Sequence, residues 1–266
     1  MSKTLPHNAS EFLSVAIETA MHAGHLLKKG FGTSYEISTK AGRHNLVTTY
    51  DKLAEEAISK MIAEKFPSHG FLGEESGLRS QSGNMLWIVD PLDGTVNFAH
   101  DIPIFCVSIA LAIASKVVLG VVYQPMTDEL FWAEKGKGAF LNGKKIQVST
   151  QEHLNDAYLT TGFPYNVHED PMHCIETFSR LTRLGIPIRR LGSAAIDLSY
   201  VAAGRFDAYW EVSLQPWDLA AGLLLVEEAG GSVTRYDGSS CHIEQAGPVL
   251  ATNKRLHSQL QKVIYT

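Results

Sequence analysis

The stretch LWIVDPLDGTVNF, residues 86–98, places two carboxylates around a proline at the end of a strongly apolar run. Asp90 and Asp93 are three positions apart, and Pro91 lies between them. Taken alone, this pattern is also typical of a turn, because proline presets φ and Asp93-Gly94 is a favoured turn pair. Carboxylates held on irregular backbone can instead bind a divalent cation. Other acidic residues of the chain bear on the choice between these interpretations.

Four further carboxylates stand at the ends of predicted elements: Asp51, Glu74, Glu75 and Asp218. Each has an ordinary structural explanation, since the aspartates could cap helices and the glutamates could lie in a solvated turn. Together they form an acidic set with almost no cationic residue beside it in the sequence. Clustered carboxylates repel one another and cannot all ionise unless cations neutralise them. Hard oxygen ligands of this kind predict Mg²⁺ or Mn²⁺.

The segment 89–95 predicts how such a site is built. A buried strand delivers Asp90 to its end, Pro91 stops the strand, and the irregular backbone turns the Leu92 carbonyl toward the same point. Gly94 lets the chain pass close to a ligand, and the Thr95 hydroxyl and the following amides can face an anion. The sequence therefore predicts a joint metal and phosphate site.

Other phosphate and hydrolase motifs fail on their spacing. The segment GAFLNGKK at 138–145 has no Ser or Thr after the lysine of a P-loop, and Asn142-Gly143 predicts a type I′ hairpin instead. Two residues separate Asp90 from Asp93, so the D-x-D pattern of an aspartyl-phosphate phosphatase is absent. The segment GEESG is not a G-x-S-x-G nucleophile elbow, and the sequence contains no HExxH zinc motif.

Apolar periodicity and end signals predict the elements that position these residues. Helices are predicted at 11–29, from Asp51 to about 66, and at about 170–184, 193–203 and 216–229. Strands are predicted at 86–90, 104–114, 117–123, 129–133, and near 157–163, 188–192 and 206–212. Hairpins followed by alternating strands and helices predict layered sheets and helices.

Composition excludes several classes of protein. The 266 residues are 45% hydrophobic, enough for a large core, and the net charge of −5 offers no basic surface for nucleic acid or acidic membranes. The three cysteines lack C-x-x-C spacing, which fits a reducing cytoplasm better than a disulfide framework. The N-terminal residues lack a signal-peptide pattern. The apolar stretch 102–123 is broken by Ser115-Lys116, so it predicts two buried strands and no membrane span.

Six blocks resemble the inositol monophosphatase family, in order and spacing, over nearly the whole chain: GEES, WIVDPLDGTVNF, GVVYQP, GKGAFLNG, LGSAAIDLSYVAAGRFDAYWE and PWDLAAG followed by EEAGG. The segment TGFPY at 161–165 resembles the bacterial branch, which includes the extragenic suppressor protein of enteric bacteria. The resemblance implies an α+β fold, a layered αβαβα sandwich of the inositol monophosphatase and fructose-1,6-bisphosphatase type. It implies a single domain over 1–266, with halves of about 1–150 and 151–266.

The resemblance also implies a set of metal ligands. Glu74, Asp90 and the Leu92 carbonyl would hold a first Mg²⁺. Asp90, Asp93 and Asp218 would hold a second, and a third ion would be reached from Glu74 through water. Two or three Mg²⁺ are thus expected, with Mn²⁺ as the alternative.

Catalytic and substrate-binding residues follow from the same resemblance. Asp51 and Thr95 would form a dyad that, with Glu74, activates the attacking water. The residues that would bind the phosphate and the alcohol are Lys40, Gly94, Thr95, Gly192, Ser193, Ala194 and Glu211.

The implied function is Mg²⁺-dependent hydrolysis of a phosphomonoester without a covalent intermediate, by a lithium-sensitive, cytoplasmic homodimer. The expected substrate is myo-inositol 1-phosphate. Fructose 1,6-bisphosphate, histidinol phosphate and NADP stay open, because the substrate-dependent loop here reads GFPYNVHED. A regulatory role on RNA polymerase or the ribosomal RNA machinery is an alternative of a different class. The presence of all the implied ligands favours an enzyme.

Overall fold

The structure is a computed structural model that describes residues 9–40, 45–79, 83–243 and 245–265. Its α-helices are α1 Glu11–Gly30, α2 Thr49–Lys65, α3 Thr95–Ala99, α4 Cys174–Arg183, α5 Ala194–Ala202, α6 Pro216–Glu228 and α7 His257–Tyr265. Its strands are β1 Ile37–Thr39, β2 Leu46–Thr48, β3 Gly70–Gly73, β4 Gly77–Arg79, β5 Met85–Asp93, β6 Cys106–Ile113, β7 Lys116–Gln124, β8 Glu129–Glu134, β9 Gly138–Leu141, β10 Lys144–Ile146, β11 Leu159–Thr161, β12 Ile188–Arg189, β13 Ala208–Leu214, β14 Ser232–Thr234 and β15 Gly247–Thr252.

Most strands belong to two sheets. The first has eight strands in the order β10-β9-β8-β7-β6-β5-β3-β4, and the second has five in the order β12-β11-β13-β15-β14. Strands β1 and β2 form a separate hairpin. The first sheet is antiparallel except where β3 runs parallel to β5, whereas β11 runs parallel to both β12 and β13 in the second.

Helices fill three layers around these sheets. One buried cluster, which includes Leu13, Ile58 and Trp87, packs α1 and α2 on one face of the first sheet. A second cluster packs α5 and α6 between the two sheets. A third packs α4 and α7 on the outer face of the second sheet, where Leu181 and Leu260 lie buried. The layers therefore run αβαβα, which confirms the predicted fold class.

The apolar run before Asp90 forms a strand buried on both faces. Trp87 and Val89 belong to the cluster under α1 and α2, whereas Ile88 belongs to the cluster under α5 and α6. Side chains alternate between the faces of a strand, so both faces need apolar residues when helices cover each. That need explains the continuous run WIV in place of an alternating pattern.

The prediction that Pro91 stops the strand is wrong. Strand β5 continues to Asp93, and its pairing with β6 shifts between Asp90↔Ser108 and Asp93↔Cys106. Two residues of β5, Pro91 and Leu92, thus lie opposite one residue of β6, Val107, which is a β-bulge. A bulge leaves a residue out of the ladder, so the missing N–H of proline costs nothing there. The carboxylates therefore lie on bulged strand, not beyond a strand end.

The remaining predicted elements agree with the structure to within a few residues. The Asn142-Gly143 pair joins β9 to β10 with positive φ at both positions, as a type I′ turn requires. Strands β1 to β4, β14 and β15 and helices α3 and α7 were not predicted. None of the helices in the described ranges has the length and apolar character to cross a membrane.

Candidate active site

The bulge of β5 holds Asp90 in place through its own loop. The side chain is only 2% exposed, and Oδ1 accepts a hydrogen bond from the Leu92 amide at 2.9 Å. The Leu92 carbonyl in turn lies 3.0 Å from Thr95 Oγ1. Three residues of one short segment are therefore fixed relative to each other.

Asp93 joins the first sheet to helix α5. Its Oδ2 accepts hydrogen bonds from Ser193 Oγ at 2.6 Å and from the Ala195 amide at 2.7 Å. Ser193 is also the N-cap of α5. The buried thiol of Cys106 lies 3.8 Å from the same oxygen. Helix α5 is thus anchored on the carboxylate predicted to bind metal.

Asp51 reaches this region through Thr95. Thr95 Oγ1 is 3.0 Å from Asp51 Oδ1, and Asp51 Oδ2 accepts hydrogen bonds from the Thr48 amide at 2.7 Å and from Thr48 Oγ1 at 2.6 Å. The latter bonds make Asp51 part of the capping box of α2. Because the hydroxyl of Thr95 has one hydrogen, it donates either to Asp51 or to the Leu92 carbonyl at a given moment.

The backbone beside Thr95 requires glycine. Gly94 has φ +99°, in the region that favours glycine, and a Cβ there would lie 2.9 Å from the Ile104 carbonyl oxygen. A side chain at this position would move β5 and the chain before β6 apart. Gly94 therefore keeps the bulge close to its neighbour.

Glu74 lies in the turn after β3 and is paired with a lysine. Lys40 Nζ is 2.8 Å from Glu74 Oε1 and also binds Glu75 Oε1. The turn is supported from below, because the Glu75 amide donates to Glu55 Oε2 at 2.8 Å. Burial alone lowers the pKa of Lys40, but the charges and hydrogen bonds of the two glutamates outweigh it and raise that pKa.

Asp218 occupies the first turn of α6. Its Oδ2 accepts a hydrogen bond from the Gln215 amide at 2.7 Å, one half of a capping box. The sequence predicted a capping function and a metal-binding function as alternatives for this residue. A carboxylate has two oxygens, so engaging one of them in a cap leaves the other for a ligand.

A single cavity of about 570 Å³ collects these groups from both sheets. Of the residues predicted to act, those lining it are Lys40, Glu74, Asp90, Leu92, Asp93, Gly94, Thr95, Gly192, Ser193, Ala194, Glu211 and Asp218. Asp51 does not line it and contributes only through Thr95. The structure thus brings together residues that lie up to 178 positions apart, from Lys40 to Asp218.

Burial gives the acids of this cavity unusual proton affinities. It raises the pKa of Asp90 well above the ordinary value, and the charges of Glu74, Asp93 and Asp218 raise it further. Burial likewise raises the pKa of Asp93 to about 6, although the hydrogen bonds from Ser193 and Ala195 oppose the shift. Burial also raises the pKa of Asp218, and the charge of Asp93 raises it further. The charges and hydrogen bonds of the protein alone therefore do not offset the cost of ionising these buried acids.

The chemistry of these donors fits a hard divalent cation. Among the described residues, no three acidic, histidine or cysteine side chains are already gathered around one point as a ligand set. The available donors are all oxygens, namely the carboxylates of Glu74, Asp90, Asp93 and Asp218 and the Leu92 carbonyl. A cation among them would neutralise charges that burial makes costly.

Known proteins similar to this chain support its assignment to one family. The sequence model of the inositol monophosphatase family matches residues 8–265. The chain belongs to the inositol monophosphatase family. It is 42% identical to an inositol-1-monophosphatase of Caulobacter vibrioides, covering 92% of this chain and 97% of that protein. It is 41% identical to the Nus factor SuhB of Escherichia coli K12, covering 92% of each chain.

Solved structures of the inositol monophosphatase family share the fold. The extragenic suppressor protein suhB of Bartonella henselae superposes with a TM-score of 0.90 at 40% identity, covering 96% of this chain and 98% of that one. Membership of the family makes this chain a phosphatase.

The cavity of this inositol monophosphatase family member contains residues that sequence reasoning missed. Asp197, Arg190, Tyr165 and Asn45 also line it, and the charges of Glu211 and Arg190 act on Asp197. Asp197 is 1% exposed, and Thr160 Oγ1 donates to its Oδ1 at 2.6 Å. A lone aspartate inside the apolar helix sequence AAIDLSYVAAG was a usable signal, because buried acids are rare without a partner.

We expect the cation-free phosphatase to lose stability as the pH rises. Asp93 and the neighbouring acids have raised pKa values in the folded state, so between the unfolded and folded values the folded protein binds more protons. The stabilisation from protonation is full below the unfolded value near 3.8 and disappears as the pH passes the folded values. With a chelator present, Tm should fall by about 3 to 10 °C between about pH 5 and pH 7.

Thermal unfolding followed by circular dichroism measures this change. Asp90→Asn should flatten the dependence of Tm on pH, because it removes one of the mutually repelling charges. The exposed Asp156→Asn serves as the matched control and should leave the dependence unchanged. A Tm that rises between these pH values in the wild type would contradict the assignment.

Proposed function

We propose that this phosphatase hydrolyses a sugar or cyclitol phosphomonoester with Mg²⁺, and that myo-inositol 1-phosphate is the substrate. The observation that carries the proposal is the set of three buried acids, Asp90, Asp93 and Asp218, whose pKa values are raised by burial and by the charges of neighbouring carboxylates. They lie beside a hydroxyl that is paired with a carboxylate. Such a set requires cations when ionised. Relatives that bear the name inositol-1-monophosphatase support the choice of substrate.

The residues around Thr95 are suited to handle the protons of the attacking water. Bound Mg²⁺ would neutralise phosphate charge and make a water molecule more acidic. Thr95 Oγ1 accepts one hydrogen of that water while donating its own to Asp51 Oδ1, 3.0 Å away, and Glu74 accepts the other. Burial raises the pKa of Asp51 to about 6, against the opposing Thr48 hydrogen bonds, which suits a proton acceptor at neutral pH.

The remaining predicted residues bind the two parts of the substrate. The amides of Gly94 and Thr95, together with Lys40, hold the phosphate. Gly192, Ser193 and Ala194 border the alcohol, and Glu211 accepts hydrogen bonds from its hydroxyl groups. Glu211 suits that task because an ionised carboxylate accepts several hydrogen bonds and donates none.

The same proposal includes the finer properties of the enzyme. We infer two or three Mg²⁺ per chain, with Mn²⁺ able to replace them, inhibition by Li⁺, a homodimer and a cytoplasmic location. Fructose 1,6-bisphosphate, histidinol phosphate and NADP are the alternative substrates, and a panel of these esters assayed during a Mg²⁺ titration decides among them.

We expect Asp90→Asn to remove catalysis while preserving the fold. Asp90 is proposed to contact both principal ions, so its loss should reduce phosphate release from myo-inositol 1-phosphate by more than about tenfold at saturating Mg²⁺. Circular dichroism should remain unchanged, because the substitution removes a buried charge and keeps the acceptor for the Leu92 amide. Turnover above about a tenth of the wild-type value would contradict the shared ligand.

We expect Glu211→Ala to distinguish substrates by their alcohol. It should lower kcat/KM for myo-inositol 1-phosphate by about 10- to 100-fold, the scale of one lost charge-assisted hydrogen bond. Hydrolysis of 4-nitrophenyl phosphate, which offers no such hydroxyl groups, should change by less than about twofold. Glu227→Ala, on the exposed end of α6, is the control and should affect neither. Equal losses on both esters would instead place Glu211 with the metal ligands.

Similarity to the Nus factor SuhB supports a second proposal, that the chain also binds the transcription machinery. Purified RNA polymerase retained on immobilised wild type and on Asp90→Asn tests it. We expect equal retention by both, because such binding does not need hydrolysis. Absence of retention by the wild type would contradict this proposal without affecting the enzymatic one.

A further inference from the structure

The second sheet places Glu211 directly beside a glycine. Strand β11 pairs in parallel with β13 through Leu159↔Ala208 and Thr161↔Trp210, so the next residue along, Gly162, adjoins Glu211. A Cβ on Gly162 would lie 1.8 Å from Glu211 Oε2 and 2.6 Å from Oε1. The carboxylate therefore occupies the space that any other residue would fill with its side chain.

The need for glycine at this position is one of space. Gly162 is not among the residues with positive φ, so its backbone conformation is open to every amino acid. Alanine there would meet no conformational penalty of its own. The three atoms nearest to the new Cβ all belong to the Glu211 carboxylate group, whose carbon would be 2.3 Å away.

Tyr209 holds the same carboxylate from within the sheet. It lies two residues before Glu211, and its hydroxyl donates a hydrogen bond to Glu211 Oε2. The tyrosine is completely buried in the cluster between the two sheets, so its ring is fixed by packing. The bond engages Oε2 and leaves Oε1 of this cavity-lining residue available to a ligand.

The environment of Glu211 makes that bond important for its charge. Burial raises the pKa of Glu211 to about 7, whereas the Tyr209 hydrogen bond and the charge of Arg190 lower it. A hydrogen bond to the ionised form favours that form. Removing the tyrosine hydroxyl would therefore favour a protonated carboxyl, which accepts fewer hydrogen bonds from a polyol.

We propose that Tyr209 and Gly162 are positioning residues that orient the Glu211 carboxylate, and that they thereby set the preference of the cavity for polyol phosphates over esters without hydroxyl groups. This inference rests on the proposed function, since it takes the alcohol of the substrate to lie at Glu211. Tyr209 provides the hydrogen bond and Gly162 provides the space.

Tyr209→Phe tests the hydrogen bond. It should lower kcat/KM for myo-inositol 1-phosphate by about tenfold and leave hydrolysis of 4-nitrophenyl phosphate within about twofold. The matched control is Tyr123→Phe, which removes a 2.9 Å bond from another buried tyrosine to a carboxylate, that of Asp128, outside the cavity. The control should leave the ratio of the two activities unchanged. If Tyr209→Phe lowers kcat/KM equally on both esters, or lowers it on neither, the inference is overturned.

A double-mutant cycle followed by thermal unfolding tests whether Gly162 makes room for the Glu211 carboxylate. It needs no substrate. Gly162→Ala should lower Tm by several degrees in the wild type, because the added methyl group overpacks the site. It should have almost no effect in a Glu211→Ala background, because the obstructing carboxylate is gone. Additive effects in the two backgrounds would overturn the assignment of Gly162.

The ester assays of Glu211→Ala and Tyr209→Phe, together with the Tm cycle, also separate this inference from the proposed function. If Glu211→Ala distinguishes the two esters and Tyr209→Phe does not, the positioning by Tyr209 is wrong and the polyol substrate stands. If Glu211→Ala itself fails to distinguish them, the polyol substrate is wrong, and the Tm cycle still decides whether Gly162 makes room for the carboxylate.

Discussion

Repulsion among buried carboxylates is the interaction on which the rest of the site depends. Asp90, Asp93 and Asp218 lie within one another's fields in a cavity that removes much of their hydration. Each additional ionisation is costly in such a place, and Lys40 and Arg190 are the cationic side chains among the described residues that line the cavity. Ionisation of all three acids is favourable only if cations bind among them. A phosphatase would gain from this, because cations bound there would also attract and neutralise a phosphate group.

The acids of the site also stabilise the fold, because they form hydrogen bonds at the starts of helices. Asp51 caps α2, Asp218 caps α6, and Asp93 holds the start of α5 through Ser193 and Ala195. In each case at least one oxygen is fixed by hydrogen bonds of the protein. Helices from two different layers are thereby oriented toward one cavity, and the residues that fix them are the residues proposed to act. The structural explanation of these acids therefore does not exclude the proposed functional one, because each residue can satisfy both.

The sequence was sufficient to predict the acids and insufficient to predict their supports. Asp90 and Asp93 could be found because residue type and spacing along one strand carry the information. The bulge at Pro91 could not, since it depends on how β5 pairs with β6. Strands β1 to β4 and β14 were missed because their three or four residues are too few to show periodicity. Gly162 and Tyr209 were missed because their relation to Glu211 arises only when β11 and β13 pair, about fifty positions apart in the chain.

Proton release on cation binding tests the central claim most directly. Isothermal titration of the chelator-treated protein with Mg²⁺ at about pH 6, in buffers with different heats of ionisation, counts the protons expelled. If the buried acids hold protons until cations replace them, binding should release about one proton or more per chain. Asp90→Asn should release fewer. Mg²⁺ binding without any proton release would show that the acids are already ionised in the free protein, and would contradict the account.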